Sequence, residues 1–196
     1  MTEDSKTDPK TVFERILGIL TLSMDSKILQ AELESLFQLC PLQPETKCYS
    51  DAVYENYFDV GISLQYTPAT GYRPQASNLD QSKLSLRSID IYNNSAANRS
   101  ERHSYSSFPL LPIRITTATG GHLEIVATTS GKDFVDALGE PPRKGGGEGP
   151  SSGLNIWCEW PKHGLMVEFG ATGPQAWEKG KDAAWKCITI FSPNHA

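Results

Sequence analysis

Residues 54–66, Tyr54-Glu55-Asn56-Tyr57-Phe58-Asp59-Val60-Gly61-Ile62-Ser63-Leu64-Gln65-Tyr66, lie over residues 157–169, Trp157-Cys158-Glu159-Trp160-Pro161-Lys162-His163-Gly164-Leu165-Met166-Val167-Glu168-Phe169, without a gap and at a constant offset of 103. Six positions agree in type: two aromatics three apart, a glycine, two aliphatics at alternate positions and a closing aromatic. Apolar residues at period two mark a strand with one covered face, and the glycine supplies the backbone freedom of a tight turn. A further run follows in each copy after loops of slightly different length, Ser88-Ile89-Asp90-Ile91-Tyr92 over Cys187-Ile188-Thr189-Ile190-Phe191. An apolar helical segment ending in proline precedes each copy, Leu33 to Pro41 and Phe134 to Pro141. Agreement of order, spacing and residue type predicts an α+β fold of two tandem units, each a helical segment packed on a short three-stranded antiparallel sheet. The expected division is 1–92 for the first unit, 93–109 for a linker and 110–196 for the second unit.

Outward from this core, Asp8-Pro9 reads as the start of a helix over 9–20, with Val12, Phe13, Ile16, Leu17 and Leu20 at helical spacing. A second helix from Asp25-Ser26 presents Ile28, Leu29, Leu33, Leu36 and Phe37 and turns Glu32 and Glu34 away; Pro41 and Pro44 close it. Residues 67–82 read as a loop. Residues 93–107, rich in Asn, Ser and Ala, have no apolar period and are the linker candidate. Leu110 to Thr117 and His122 to Thr128 read as a hairpin around Thr-Ala-Thr-Gly-Gly. Ser130 opens a short helix that Gly139 and the Pro141-Pro142 pair end, and 143–153 reads as a Gly-rich loop.

The chain has 196 residues, 38% hydrophobic and 21% charged, enough to bury a core without disulfide staples. A formal charge of −5 argues against a general nucleic-acid binder, because phosphate binding needs a basic field. The apolar run Ile16 to Leu22 is too short for a membrane span and follows a charged start, so neither a signal peptide nor an anchor is expected. A soluble, cytoplasmic protein follows, with Cys40, Cys48, Cys158 and Cys187 as thiols and the sequons at Asn93 and Asn98 unused.

The run Thr129 to Pro141, then Trp157-x-x-Trp160, then Gly164 to Phe169, then Ile188 to Phe191, resembles the repeat of the phagosome-assembly-factor family. It is also similar to the small outer-membrane-assembly lipoprotein domain and to the tandem β-lactamase-inhibitor-protein fold. The resemblance covers about 60 residues of the second copy well and the first copy weakly. It implies a binding or scaffold protein rather than an enzyme. The chain departs from these families in having no lipidation cysteine and in being much shorter than phagosome assembly factors.

No catalytic constellation stands out. Arg143-Lys144-Gly145-Gly146-Gly147 offers clustered backbone N–H groups and two cations, yet lacks the Gly-Lys-Ser/Thr that opens a helix in a phosphate loop. His103, His122, His163 and His195 stand at no ligand spacing from a cysteine, so no metal or other cofactor is expected. Cys158 and Cys187 read as small buried residues. Glu159 and Glu168 lie on adjacent expected strands near His163, a pattern open to carboxylate chemistry, for which the solvated face of a half-covered sheet is the simpler account. Trp157 and Trp160, three apart on one strand, point to opposite faces, which makes one of them a candidate for recognition. The candidate binding residues are therefore Trp157, Trp160, Lys162, His163, Arg143 and Lys144. The function expected is a noncatalytic interaction or scaffold module that docks a protein partner. The alternative is an enzyme or small-molecule carrier using a cleft between the units, with His163, Glu159 and Arg143-Lys144 converging there.

Overall fold

A computed structural model describes residues 10–37, 44–94, 104–117, 120–147, 155–171, 173 and 175–193. The fold is α+β. One eight-stranded antiparallel sheet runs in the order β1-β2-β3-β4-β10-β9-β8-β7. Its strands are β1 (Glu45–Cys48), β2 (Val53–Tyr57), β3 (Ile62–Pro68), β4 (Leu84–Tyr92), β7 (Arg143–Gly145), β8 (Ile156–Trp160), β9 (Leu165–Phe169) and β10 (Trp185–Phe191). A separate hairpin joins β5 (Ile113–Thr116) to β6 (His122–Ile125). Four described helices, α1 (Val12–Ile19), α2 (Lys27–Phe37), α3 (Gly131–Leu138) and α4 (Ala176–Gly180), complete the chain.

Read outward from the β4–β10 pair, the strand order is the same in both directions. Antiparallel pairing sets Asp90 against Thr189, flanked by Ile89 against Ile190 and Ile91 against Ile188. The repeated segments occupy matching places: β2–β3 and β8–β9 are both antiparallel pairs. Their connections turn at Gly61 and Gly164, with φ of 70° and 62°. The two glycine carbonyls accept from the backbone N–H of Tyr92 and of Phe191, both at 2.9 Å. A Cβ on either glycine would lie 2.1 Å from a backbone oxygen, of Ser106 or of Phe191, so only glycine fits. Before each helix, one residue bridges to the chain: Ser23 to Ser85 and Ser130 to Ala184.

The core lies between the sheet and the helices. Val53, Tyr57, Ile62, Leu64 and Tyr66 in one half, with Trp160, Leu165, Val167 and Phe169 in the other, bury their side chains there. Phe134 of α3 packs on Trp160 and Phe169, and Phe37 of α2 meets Phe108 edge-on. Helix α1 touches α2, β5 and β10, so it leans onto the second half of the sheet.

Several expectations are corrected. Helix α1 starts at Val12: Thr11 caps it, accepting from the Glu14 N–H while the Glu14 carboxylate accepts from the Thr11 N–H. Asp8 and Pro9 lie outside the described residues, as do Cys40, Pro41, Asn98, His103, His195, and most of the linker and of the Gly-rich loop. Ile28 is 65% exposed, because the buried stripe of α2 runs through Leu29, Leu33, Leu36 and Phe37, one step around the helix. Each half of the sheet has four strands rather than three, and the halves continue as one sheet. Arg143 to Gly145 is the edge strand β7 rather than loop, held by pairing with β8. The polar connection before β10 contains α4. Within the linker stretch, Phe108 is buried and Tyr105 stacks on Tyr92. Asn93 donates its side-chain amide to the carbonyls of Ala127 and Trp185, so the folded chain does not offer that amide for glycosylation.

Candidate functional site

Strand pairing sorts the side chains between two faces, and the helices cover only one. The other carries Tyr54 and Asn56 of β2, Ser63 and Gln65 of β3, and Ser88, Asp90 and Tyr92 of β4. Across the midline follow Cys187, Thr189 and Phe191 of β10, Met166 and Glu168 of β9, and Trp157 and Glu159 of β8. None of the described helices lies on this open face. Its polar side chains are joined to one another. Asn56 Oδ1 accepts from Ser63 Oγ at 2.8 Å and from the Tyr105 hydroxyl at 2.6 Å, while Asn56 Nδ2 donates to the Glu45 carbonyl. Gln65 Nε2 donates to the Tyr54 hydroxyl at 3.0 Å, and Gln65 Oε1 accepts from Ser88 Oγ at 2.9 Å. Thr189 Oγ1 donates to Asp90 Oδ1 at 2.7 Å, across the midline of the sheet.

Asn56, Ser63, Gln65 and Asp90 floor a hollow of about 460 Å³ that Lys47, Tyr49 and Asp51 rim and Tyr54, Tyr92 and Tyr105 wall. The Tyr92 and Tyr105 rings stack, with centroids 3.8 Å apart and planes 6° apart. Burial pushes the Asp90 carboxyl up to about 6; the Thr189 hydrogen bond opposes this and the charge of Glu168 adds to it. Burial likewise raises Tyr54, Tyr92 and Tyr105 above the ordinary phenol value, with the charge of Asp90 adding in each case. These hydroxyls therefore stay protonated and act as hydrogen-bonding groups at neutral pH.

The six residues expected from sequence fall in different places. Trp157 and Arg143 reach the open face, Trp157 lying against Gly145 and Arg143 pairing with Glu159 at 2.9 Å. Trp160 is 2% exposed in the core, and its indole N–H donates to the Gly139 carbonyl at 2.9 Å. Lys144 shares a face with Cys158 and lies over the Trp177 ring, 5.7 Å from its centre, beside an apolar hollow of about 260 Å³ between α3 and α4. Lys162 and His163 form the turn of the β8–β9 hairpin and border a hollow next to α1 and Arg114. His163, Glu159 and Arg143-Lys144 thus do not meet in one cleft. Burial pushes the Cys158 thiol up to about 11 and Cys187 well above its ordinary value, so neither is an activated nucleophile.

The sequence reading missed the hollow at Asp90. Its one signal is an aspartate between two isoleucines of β4, at the place of a threonine in the matching run. Comparisons with protein-family models, with curated proteins and with solved structures found no match. None of the described helices is long and apolar enough to cross a membrane.

Proposed function

We propose that the chain is a noncatalytic interaction module that docks a protein partner on the open face of its sheet. The observation behind this reading is the composition of that face. Half-buried aromatic and thioether side chains, Tyr54, Tyr92, Trp157, Met166 and Phe191, alternate there with hydrogen-bonding groups, a mixture suited to protein contacts. The matching strand order of the two halves supports their origin as diverged copies, as does the resemblance to tandem binding folds. Cys48, Cys158 and Cys187 are free thiols, in keeping with a cytoplasmic, soluble protein. A small-molecule carrier is the second reading, and the hollow at Asp90 is its support.

Affinity capture from the native host, with bound proteins identified by mass spectrometry, tests the docking reading. Partners held by the wild type should be lost by the Trp157→Ala, Phe191→Asp double variant and kept by Ile28→Ser on the helical side. Loss with Ile28→Ser and retention by the double variant would place the interface on the helices instead.

A further inference from the structure

We propose that the hollow at Asp90 takes the guanidinium of an arginine side chain presented by the docking partner, an assignment that rests on the open-face reading and names what that face selects. The hydrogen-bond inventory of the hollow leads to this chemistry. Both amide groups of its floor, Asn56 and Gln65, are engaged by neighbours, as are the hydroxyls of Ser63, Ser88 and Tyr105. Asp90 differs: Oδ1 receives Thr189, and Oδ2 has no donor among the described residues. Among the described residues, Glu168, whose charge Asp90 feels, receives the Asn155 amide alone. Neither carboxylate has a cationic partner among the described residues. Lys47, the cation nearest the rim, pairs with Glu45 at 3.2 Å. Asp90 Oδ2 thus has neither a donor nor a paired cation among the described residues.

Its walls narrow the choice among cations. Tyr54 and the stacked pair Tyr92 and Tyr105 line the hollow, and an aromatic ring attracts a cation over its face, where a flat one fits best. A guanidinium is planar, lies against a ring and offers several N–H donors to a carboxylate at once, whereas an ammonium is a strongly hydrated point charge. The position matters as well. Asp90 and Thr189 pair at the centre of the eight-stranded sheet, so an arginine seated there lies in the middle of the contact, where a buried anchor contributes most.

The probe is N-acetyl-arginine amide, with its uncharged isostere N-acetyl-citrulline amide, titrated into the full chain and followed by the side-chain amide resonances of Asn56 and Gln65. Saturable shifts are expected with the arginine probe, and binding at least tenfold weaker for the citrulline probe and for Asp90→Asn. Tyr105→Leu, which keeps the carboxylate and removes one stacked ring, should also weaken the arginine probe several-fold. Absence of saturable shifts, or equal binding of the two probes by a folded wild type, overturns the proposal. The capture experiment separates the two readings. Partners lost by the Trp157, Phe191 double variant but kept by Asp90→Asn would leave docking standing and remove the arginine. Arginine-probe binding in a chain whose partners ignore the double variant would overturn the partner as its source and leave a small-molecule site.

Discussion

Replacing Asp90 by Asn tests whether the centre of the open face stores an electrostatic cost. Asn keeps the shape and can still accept from Thr189 Oγ1, but it cannot ionise. The Asp90 carboxyl titrates at about 6 in the folded chain against an ordinary 3.8, so the native state holds a proton that the unfolded chain has released. A folded value raised in this way contributes stability that is full below pH 3.8 and lost as pH rises through 6. Roughly two pH units at 1.36 kcal/mol each amount to about 2–3 kcal/mol. The variant should therefore match the wild type near pH 3.5 and exceed it by about 2–3 kcal/mol at pH 7.5, most of the difference developing between about pH 4 and 6. Urea unfolding followed by Trp fluorescence measures this, because Trp160 and Trp185 are buried. The groups facing Asp90 are Glu168 of β9, Cys187 of β10, Tyr54 of β2 and Tyr92 and Tyr105 above it. The charge of Glu168 also raises Asp90, by less than the burial of Asp90 itself. A stability difference that stays constant with pH, or favours the wild type at pH 7.5, would refute the reasoning.

Trp160→Ala should lose about 3–5 kcal/mol, from the cavity beside Phe134 and from the Gly139 carbonyl left without its indole donor. Glu159→Gln should change stability by less than about 1 kcal/mol, since its partner Arg143 is largely in solvent. Thermal unfolding of the two variants shows both. Gly164→Ala should cost more than about 2 kcal/mol, combining a left-handed backbone with a Cβ driven into the Phe191 carbonyl. By contrast, Gly18→Ala in α1, where a Cβ meets nothing within 4 Å, should stabilise by about 0.5–1 kcal/mol. Opposite shifts in urea midpoint would separate these two glycines.

The sequence by itself determined the local parts. Alternation in 62–66 and 165–169 made strands because each buries the same face, and Gly61 and Gly164 marked their turns because no other residue fits there. Ser130 and Asp133 start α3 through a reciprocal cap that four consecutive residues specify. The shorter edge strands were another matter. Glu45-Thr46-Lys47-Cys48 and Arg143-Lys144-Gly145 carry no apolar period, and they become strands only by hydrogen bonding to β2 and β8, which are already in place. Nothing local says that β4 pairs with β10, since those partners stand about a hundred residues apart and any two apolar strands of matching pattern can pair. The candidate site depends on that pairing. Lys47, Tyr54, Gln65, Asp90 and Tyr105 are each ordinary in sequence, a polar strand position or a linker tyrosine, and they share one hollow only because β1 to β4 lie side by side and the 104–108 segment crosses their end. Aspartate between two isoleucines reads as a solvated face. It becomes a partly buried carboxylate at the centre of the molecule because the second half of the sheet continues past it, placing Thr189 and Glu168 where water would otherwise be.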